Sequence, residues 1–233
     1  METDVINGKK IRRKSFRFLK GIIKIFVRRP KFKHAGEMDD IPTVILSNHA
    51  GIAAPLKFEL YYKRPCRLWG TYQMTKGFKS VYKYYVNVFL KQKHGFNVFF
   101  SHLFGILFAP FANLFYKGNQ VIPTYPDARL RSTMRESEET VKKGYDIIIF
   151  PEDSSKGYFD KLKSVFAGFA VFCEMLYKKG KDIPVAFCYY SKKKKTYVFD
   201  RQMRYSELRG ENFDKNALAN KALMGINALG ETC

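Results

Sequence analysis

Short apolar runs alternate along the chain with longer stretches in which apolar residues recur every three or four positions. The short runs predict buried strands at residues 43–47, 66–70, 145–150 and 183–188. The periodic stretches predict helices at residues 55–62, 75–85, 127–144, 160–180 and 217–229. Asp127 and Asp160 are the predicted N-caps of two of these helices, and residues 196–204 are predicted to pair back as a hairpin. This alternation predicts a single layered α/β domain over residues 35–233, with a mixed sheet flanked by helices.

The first 34 residues are basic and amphipathic. No acidic residue lies between Asp4 and Glu37, whereas lysines and arginines are frequent there. One side of a predicted helix, which ends before Pro30, carries Ile11, Phe18, Ile22 and Phe26. Such a helix can lie in a bilayer interface, where each cation near anionic headgroups contributes about 1 kcal/mol. We therefore expect residues 1–34 to be a membrane-binding arm, with an ordinary surface helix as the alternative.

Residues 96–116 contain no charged side chain and many phenylalanines. The stretch is long enough to span a bilayer, which takes about 20 apolar residues, but it is interrupted by Asn97, Ser101, His102, Pro110 and Asn113. It can form a true span, a re-entrant or interfacial hairpin, or a buried core helix. We favour an apolar surface that faces lipid or an acyl chain, and a plain core helix is the alternative.

The composition limits the partners of the chain. A net charge of +21 requires a negative partner, which can be nucleic acid, an anionic bilayer or a phosphorylated substrate. Nucleic acid is not expected, because no aromatic and basic nucleic-acid motif is present. The four cysteines form no CxxC pair and no cluster with histidine, so we expect reduced thiols, a cytosolic protein and no metal site.

Three loops that follow predicted strands carry unusual polar residues. They are Asn-His-Ala-Gly at 48–51, the stretch 121–131, and Phe-Pro-Glu-Asp-Ser-Ser at 150–155. Open α/β sheets bind ligands just beyond their strand ends, and a histidine there, His49, can act as a general base near neutral pH. The plainer interpretation of each single loop is a turn with capping residues.

The order of these loops resembles the glycerol-phosphate and lysophospholipid acyltransferase family over residues 43–187. Ile-Leu-Ser-Asn-His at 45–49 matches the front half of the first block of that family, which continues with four residues and an Asp. Phe-Pro-Glu at 150–152 matches the start of the third block, Phe-Pro-Glu-Gly-Thr-Arg-Ser. Ile-Pro-Val at 183–185 is similar to a fourth block, and residues 118–131 match the second block loosely.

The resemblance implies an acyl transfer without a bound cofactor. His49 would take the proton from a hydroxyl of a lysophospholipid or glycerol phosphate acceptor, which would attack an acyl thioester of coenzyme A or acyl carrier protein. Backbone N–H groups would hold the oxyanion, and His49 would return the proton to the thiol. The implied substrate-binding residues are Asn48, Gly51, Arg129, Arg131, Phe150, Pro151, Glu152, Ser154, Ser155 and Lys156. Arg129 or Arg131 would bind the phosphate, and Lys156 would replace the Arg of the family, whose position holds Ser155.

One position departs from the family in a way that affects catalysis. The Asp of the first block, which accepts a hydrogen bond from the imidazole, is Ala54 here. Loss of the equivalent group in a serine-protease triad lowers the rate by about 10⁴. We expect Asp153 to orient His49 instead, with Glu59 as the second candidate. The sequence thus predicts an acyltransferase at the cytoplasmic face of a membrane, peripheral or re-entrant, or else a catalytically impaired lipid- or acyl-carrier-binding protein on the same fold.

Overall fold

The computed structural model describes residues 5–6, 9–10, 14–36, 38–153 and 157–233. The strands are β1 (Val5–Ile6), β2 (Lys9–Lys10), β3 (Lys31–His34), β4 (Val44–Ser47), β5 (Cys66–Thr71), β6 (Ile122–Thr124), β7 (Asp146–Ile149), β8 (Pro184–Ser191), β9 (Thr196–Phe199) and β10 (Met203–Arg204). The α-helices are α1 (Lys14–Phe26), α2 (Ala53–Tyr61), α3 (Phe78–Tyr84), α4 (Val98–Asn119), α5 (Leu130–Lys142), α6 (Gly168–Tyr177), α7 (Tyr205–Arg209) and α8 (Lys215–Glu231). A 3₁₀ turn (Tyr72–Met74) precedes α3, and a π-helix (Tyr85–Lys93) continues it.

The body of the protein is an α/β fold built on one mixed eight-stranded sheet, which confirms the predicted fold class. Its order is β3-β9-β8-β4-β7-β5-β6, and β10 also pairs with β8. The strands β6, β5, β7, β4 and β8 are mutually parallel, whereas β9 and β10 are antiparallel to β8 and β3 is parallel to β9. β1 and β2 form a separate antiparallel pair.

The central strands are buried on both faces, as expected of parallel strands covered by helices. Every residue of β4, β7 and β8 is buried. On one face, Leu46 and Ile149 pack in a cluster with α6 and α8; on the other, Ile45 and Ile148 pack with Phe58 of α2. Because β4, β7 and β8 are parallel, the loops that follow Ser47, Ile149 and Ser191 leave the same edge of the sheet.

One predicted helix begins later than expected. The sequence places its start at Asp160, but α6 begins at Gly168. The preceding residues are extended because they pair with the loop after β7: Phe166 N–H donates to the carbonyl of Pro151, and Glu152 bridges Val165. Tertiary pairing therefore overrides the capping signal of Asp160. Asp127 does accept the backbone N–H of Arg129 in the turn before α5.

The described part of the N-terminal arm is joined to the body. In α1, Phe16 and Lys20 are buried, and the Lys20 ammonium forms an ion pair of 3.2 Å with Glu59 of α2. Phe18 and Phe26 point outward and are 73% and 83% exposed, whereas Ile11 lies outside the described residues. The range assigned to the arm also contains β3, which is the edge strand of the sheet beside β9.

The charge-free stretch is one helix rather than a hairpin. It forms most of the 22-residue helix α4, which begins after Asn97, whose side chain accepts the N–H of Phe100, and which contains Pro110. The plain core alternative is wrong, because only 17% of its most apolar window is buried. By length and composition it is also the one helix of the described residues that is apolar enough to cross a membrane.

Candidate functional site

His49 lies in a tight turn directly after β4. Ala50 and Gly51 follow it with φ angles of 44° and 70°, the left-handed region that suits Gly51 and is unfavourable for Ala50. The turn folds back so that Nδ1 of His49 lies 2.7 Å from the carbonyl oxygen of Gly51. A carbonyl oxygen can only accept, so Nδ1 carries the ring proton and Nε2 is the basic atom. The backbone therefore selects the tautomer that a general base needs.

Aromatic and cationic groups surround the His49 ring. Tyr158 stacks on it with ring centroids 4.6 Å apart, and Phe150 lies 5.3 Å away at a tilt. Burial lowers the pKa of His49 to about 4, against the opposing bond to Gly51, and Lys93 and Lys192 lower it further. The imidazole is thus neutral, and Nε2 is unprotonated, throughout the physiological pH range.

Glu152 links the loop after β7 to the His49 turn. Its side chain is buried, and its two carboxylate oxygens accept the backbone N–H groups of His49 at 3.1 Å and Phe159 at 3.3 Å. Burial raises the pKa of Glu152, although these two bonds and the nearby lysines oppose the rise. The carboxylate that the sequence assigns to substrate binding thus holds the backbone of the site in position.

Asn48 has a similar linking function on the other side of the turn. Its side-chain nitrogen donates to the carbonyl of Tyr190 at 3.1 Å, and its side-chain oxygen accepts the N–H of Tyr190 at 2.6 Å. The side chain thereby continues the pairing between β4 and β8 by one rung. Asn48 is 1% exposed, so it joins two strand ends at the site.

The carboxylate expected to orient His49 is replaced by a carbonyl. Ala54 is fully buried in α2, and the ring nitrogen of His49 bonds to Gly51 rather than to a side chain. Glu59 forms the ion pair with Lys20, and the backbone N–H of Asp153 donates to the carbonyl of Ser164. The roles predicted for Asp153 and Glu59 therefore stay predictions, and the observed contact supplies another way to fix the tautomer.

The remaining predicted residues fall into three groups. Pro151 is buried and Phe150 is half-buried beside His49. Arg129 and Arg131 are exposed near the start of α5, where Arg129 pairs with Asp127 at 2.6 Å and lies over the rings of Tyr72 and Tyr125. Since α5 follows β6, which is three strand spacings from β4, these residues begin roughly 14 Å across the sheet from His49. Ser154, Ser155 and Lys156 lie outside the described residues.

Three residues that the sequence interpretation missed approach His49. Lys192 follows β8. Its Nζ lies 4.0 Å from the position that a Cβ on Gly51 would occupy, which is an ordinary van der Waals distance. Lys93 ends the π-helix, and its Nζ donates to the Tyr158 hydroxyl at 2.8 Å. Lys192 comes near His49 because β8 adjoins β4, and the sequence alone does not reveal that pairing. No local pattern marks Lys93 or Tyr158.

A tyrosine cluster connects the site to α4. Burial raises the pKa of Tyr116 of α4, and the hydroxyls of Tyr84 and Tyr158 raise it too. The pKa of Tyr84 is raised by burial, and Lys93 opposes that rise. Tyr116 of α4 is thus within electrostatic range of Tyr158, which stacks on the His49 ring, while the outer side of α4 is apolar and exposed.

The described residues contain no group of three or more His, Cys, Asp or Glu side chains that could hold a metal ion. The cysteines Cys66, Cys173, Cys188 and Cys233 are free thiols. A scan against models of known protein families and a search of curated proteins found no match to this chain. Any assignment of function therefore depends on the residues around His49.

Proposed function

We propose that the protein is an acyltransferase that moves a fatty acyl group from a thioester to the hydroxyl of a lysophospholipid or glycerol phosphate. The donor would be acyl-CoA or acyl-acyl carrier protein, and the reaction would take place at the cytoplasmic face of a membrane. The observation that carries this proposal is the 2.7 Å bond between Nδ1 of His49 and the carbonyl of Gly51, which leaves Nε2 as a fixed base at the sheet edge.

In this reaction Nε2 of His49 takes the proton from the acceptor hydroxyl as the oxygen attacks the thioester carbonyl. The carbon–sulfur bond then breaks, and the imidazolium returns its proton to the departing thiolate. The transient positive charge on His49 is stabilised by the carbonyl dipole of Gly51, which is weaker than the carboxylate of the family. The bond donated to Gly51 persists in both protonation states, so the ring keeps its orientation through the cycle.

Lys93 and Lys192 support a phosphate-bearing acceptor. Lys192 approaches Gly51, Lys93 donates to the hydroxyl of Tyr158, which stacks on His49, and both lysines act electrostatically on His49 and Glu152. A phosphate near them would be held close to the hydroxyl that His49 deprotonates. An anion there would also offset their lowering of the His49 pKa, so that His49 becomes a stronger base when the acceptor is bound.

The test is thiol release by the purified chain with anionic vesicles, lysophosphatidate and either acyl-CoA or acyl-acyl carrier protein. His49→Ala should lower release by at least 10²-fold, because general-base catalysis contributes about 10²–10⁴-fold. His94→Gln is the matched control, since His94 is an exposed histidine whose ring bonds to the carbonyl of Phe89. Equal release by the wild type and His49→Ala would refute the mechanism.

The second candidate is a lipid- or acyl-carrier-binding protein that binds its ligand without catalysing acyl transfer. Three observations favour it. Ala54 replaces the orienting carboxylate, and a pKa of about 4 makes His49 a weak base. The stacked ring of Tyr158 also covers His49 in this structure. This alternative predicts binding of vesicles or acyl carrier protein with no thiol release from any donor, and equal binding by His49→Ala.

A further inference from the structure

We propose that α4 lies along one leaflet of an anionic bilayer, parallel to its surface, and does not cross it, with α1 beside it. This inference deepens the proposed function, on which its link to the His49 site rests.

The two sides of α4 have opposite characters. Its outer side carries large apolar side chains that are mostly exposed: Phe99 is 71% exposed, Ile106 64% and Phe111 65%. Its inner side is buried and made of small residues, Ser101, Gly105 and Ala109. A water-facing helix shows the reverse pattern, with small or polar residues outside and large apolar residues inside. A contiguous apolar surface on the outside of a folded domain marks an interaction site.

α4 packs against other helices of the chain both near its start and near its end. Near its start, the Tyr82 hydroxyl lies 2.9 Å from Nδ1 of His102, and a side chain at Gly105 would overlap Val86. Near its end, the Phe16 and Phe115 rings of α1 and α4 are 5.5 Å apart. Close packing near both ends is incompatible with a helix that lipid surrounds on all sides.

The connections at the two ends of α4 also disfavour a crossing. The helix starts after α3 and the π-helix, which follow β5, and it ends just before β6, the neighbour of β5. Arg67 of β5 donates to the carbonyl of Gln120, directly after the helix, at 2.7 Å. A crossing would carry into the bilayer the helices packed on α4, which contain Lys79, Lys83, Lys91 and Lys93, and charged side chains are costly there.

Charge identifies the occupant of this surface as an anionic bilayer. On α1, which packs against the end of α4, Phe18 and Ile25 are 73% and 78% exposed. Exposed cations lie on and beside the two helices: Lys14, Lys24, Arg28, Arg29, Lys79, Lys83 and Lys117. Apolar side chains flanked by lysine and arginine are the pattern of helices that lie in the interface of anionic membranes.

In this orientation the bilayer lies one helix away from the His49 site. Tyr116 of α4 interacts electrostatically with Tyr84 and Tyr158, and Tyr158 stacks on His49. A lysophospholipid would then need to move only past this tyrosine cluster to reach the base, without leaving the membrane surface.

Tryptophan fluorescence with brominated lipids measures the depth of α4 in vesicles of phosphatidylcholine and phosphatidylglycerol. Trp69 is the single tryptophan of the chain, so Trp69→Phe supplies a dark background. Phe99→Trp, Ile106→Trp and Leu114→Trp then probe the start, middle and end of the outer side. Met224→Trp on α8 is the matched control, because Met224 is also 71% exposed.

We expect shallow bromines to quench the three α4 probes to the same extent and to leave the probe at position 224 unquenched. Deep quenching of the middle probe with weak quenching of both ends would show a crossing and overturn the proposal. Absence of quenching at all three positions, or equal quenching at position 224, would overturn it as well.

Charge substitutions give an independent measurement. Ile106→Glu and Phe111→Glu should each lower the partition of the chain onto these vesicles by about tenfold, whereas Met224→Glu should not. Docking should persist in His49→Ala, because it does not depend on the chemistry. Docking without thiol release by the wild type would therefore refute only the acyltransferase, and thiol release on a short-chain soluble acceptor without docking would refute only this inference.

Discussion

The loop after β4 and the loop between β6 and α5 leave the same edge of the sheet, and both carry residues that the sequence assigns to the substrate. In the first loop, Gly51 fixes the ring of His49 by a hydrogen bond, and Glu152, which reaches in from the loop after β7, fixes its backbone; the groups involved are buried or half-buried. In the second, Arg129 is exposed, and its guanidinium is satisfied by Asp127 within the same turn.

The side chains around His49 are therefore held in a fixed arrangement that a reaction requires, whereas the side chains of the β6–α5 loop are not. A buried hydrogen-bonded group has one low-energy arrangement, because breaking its bonds costs the full desolvation penalty. An exposed ion pair exchanges freely with water and contributes little. The cations beside His49, Lys93 and Lys192, come instead from elements remote in sequence, and they are the better candidates for binding a phosphate during the reaction.

The largest effect is expected from removing the link between the loops. Glu152→Ala leaves the backbone N–H groups of His49 and Phe159 without an acceptor, so it should lower the free energy of unfolding by about 1–3 kcal/mol. The His49 turn would also lose its fixed position, and displacement of a base by about 1 Å can lower the rate by about 10². Urea unfolding and thiol release measure the two effects.

Glu152→Gln is the control for this prediction. The amide keeps one acceptor oxygen, so it should retain more stability and more activity than Glu152→Ala. Equal activity of Glu152→Ala and the wild type would show that the linkage does not position His49.

The next effect concerns the strand ends. Asn48→Asp preserves the size of the side chain but replaces the N–H donor that faces the carbonyl of Tyr190 with an oxygen. We expect a loss of about 2 kcal/mol in the free energy of unfolding, because a buried pair of acceptors then face each other. Asn48→Ala separates the repulsion from the lost bonds. A melting temperature unchanged in both variants would contradict a structural function for Asn48.

The pH dependence of activity reports the environment of His49. The acidic limb of kcat/KM should lie near pH 4 rather than near 6.5, since burial and the lysines lower the pKa of His49 to about 4. On acidification, His49 binds a proton at a lower pH in the folded chain than in the unfolded chain. The free energy of unfolding should therefore fall as the pH falls from 6.5 to 4. Histidine NMR titration checks the pKa directly, and a value near 6.5 would contradict the described surroundings.

The sequence predicts the central fold well because the strands that form it are buried on both faces and read as continuous apolar runs. It also places His49 and Glu152 after two of these strands, and the structure brings the two residues together, whereas their predicted roles stay predictions. The start of α6 at Gly168 was mispredicted because residues 164–166 pair with the loop after β7, and pairing between distant segments leaves no local signal. Lys93 and Tyr158 escaped the prediction for the same physical reason.

The lysines next to His49 should have a smaller effect than Glu152. Lys93→Met and Lys192→Met should each raise KM for lysophosphatidate by about tenfold, since each removes one charge-assisted contact of about 1.5 kcal/mol. KM for an uncharged monoacylglycerol should change little. Both variants should also raise the pKa of His49, because each removes a cation that lowers it. An equal change in KM for both acceptors would indicate a structural function instead.

The smallest effect is expected in the loop between β6 and α5. It tests whether the acceptor phosphate binds there or beside His49. Arg129→Met removes an exposed cation that pairs with Asp127 and lies over Tyr72 and Tyr125, and that begins three strands away from β4. We expect less than about a twofold change in KM for lysophosphatidate, because a charge at that distance in water is largely screened. The same kinetic assay as for Lys192→Met makes the comparison direct. If Arg129→Met raised KM tenfold and Lys192→Met did not, the acceptor phosphate would lie over the β6–α5 loop, and a substrate bound there would have to extend across the sheet edge to reach His49.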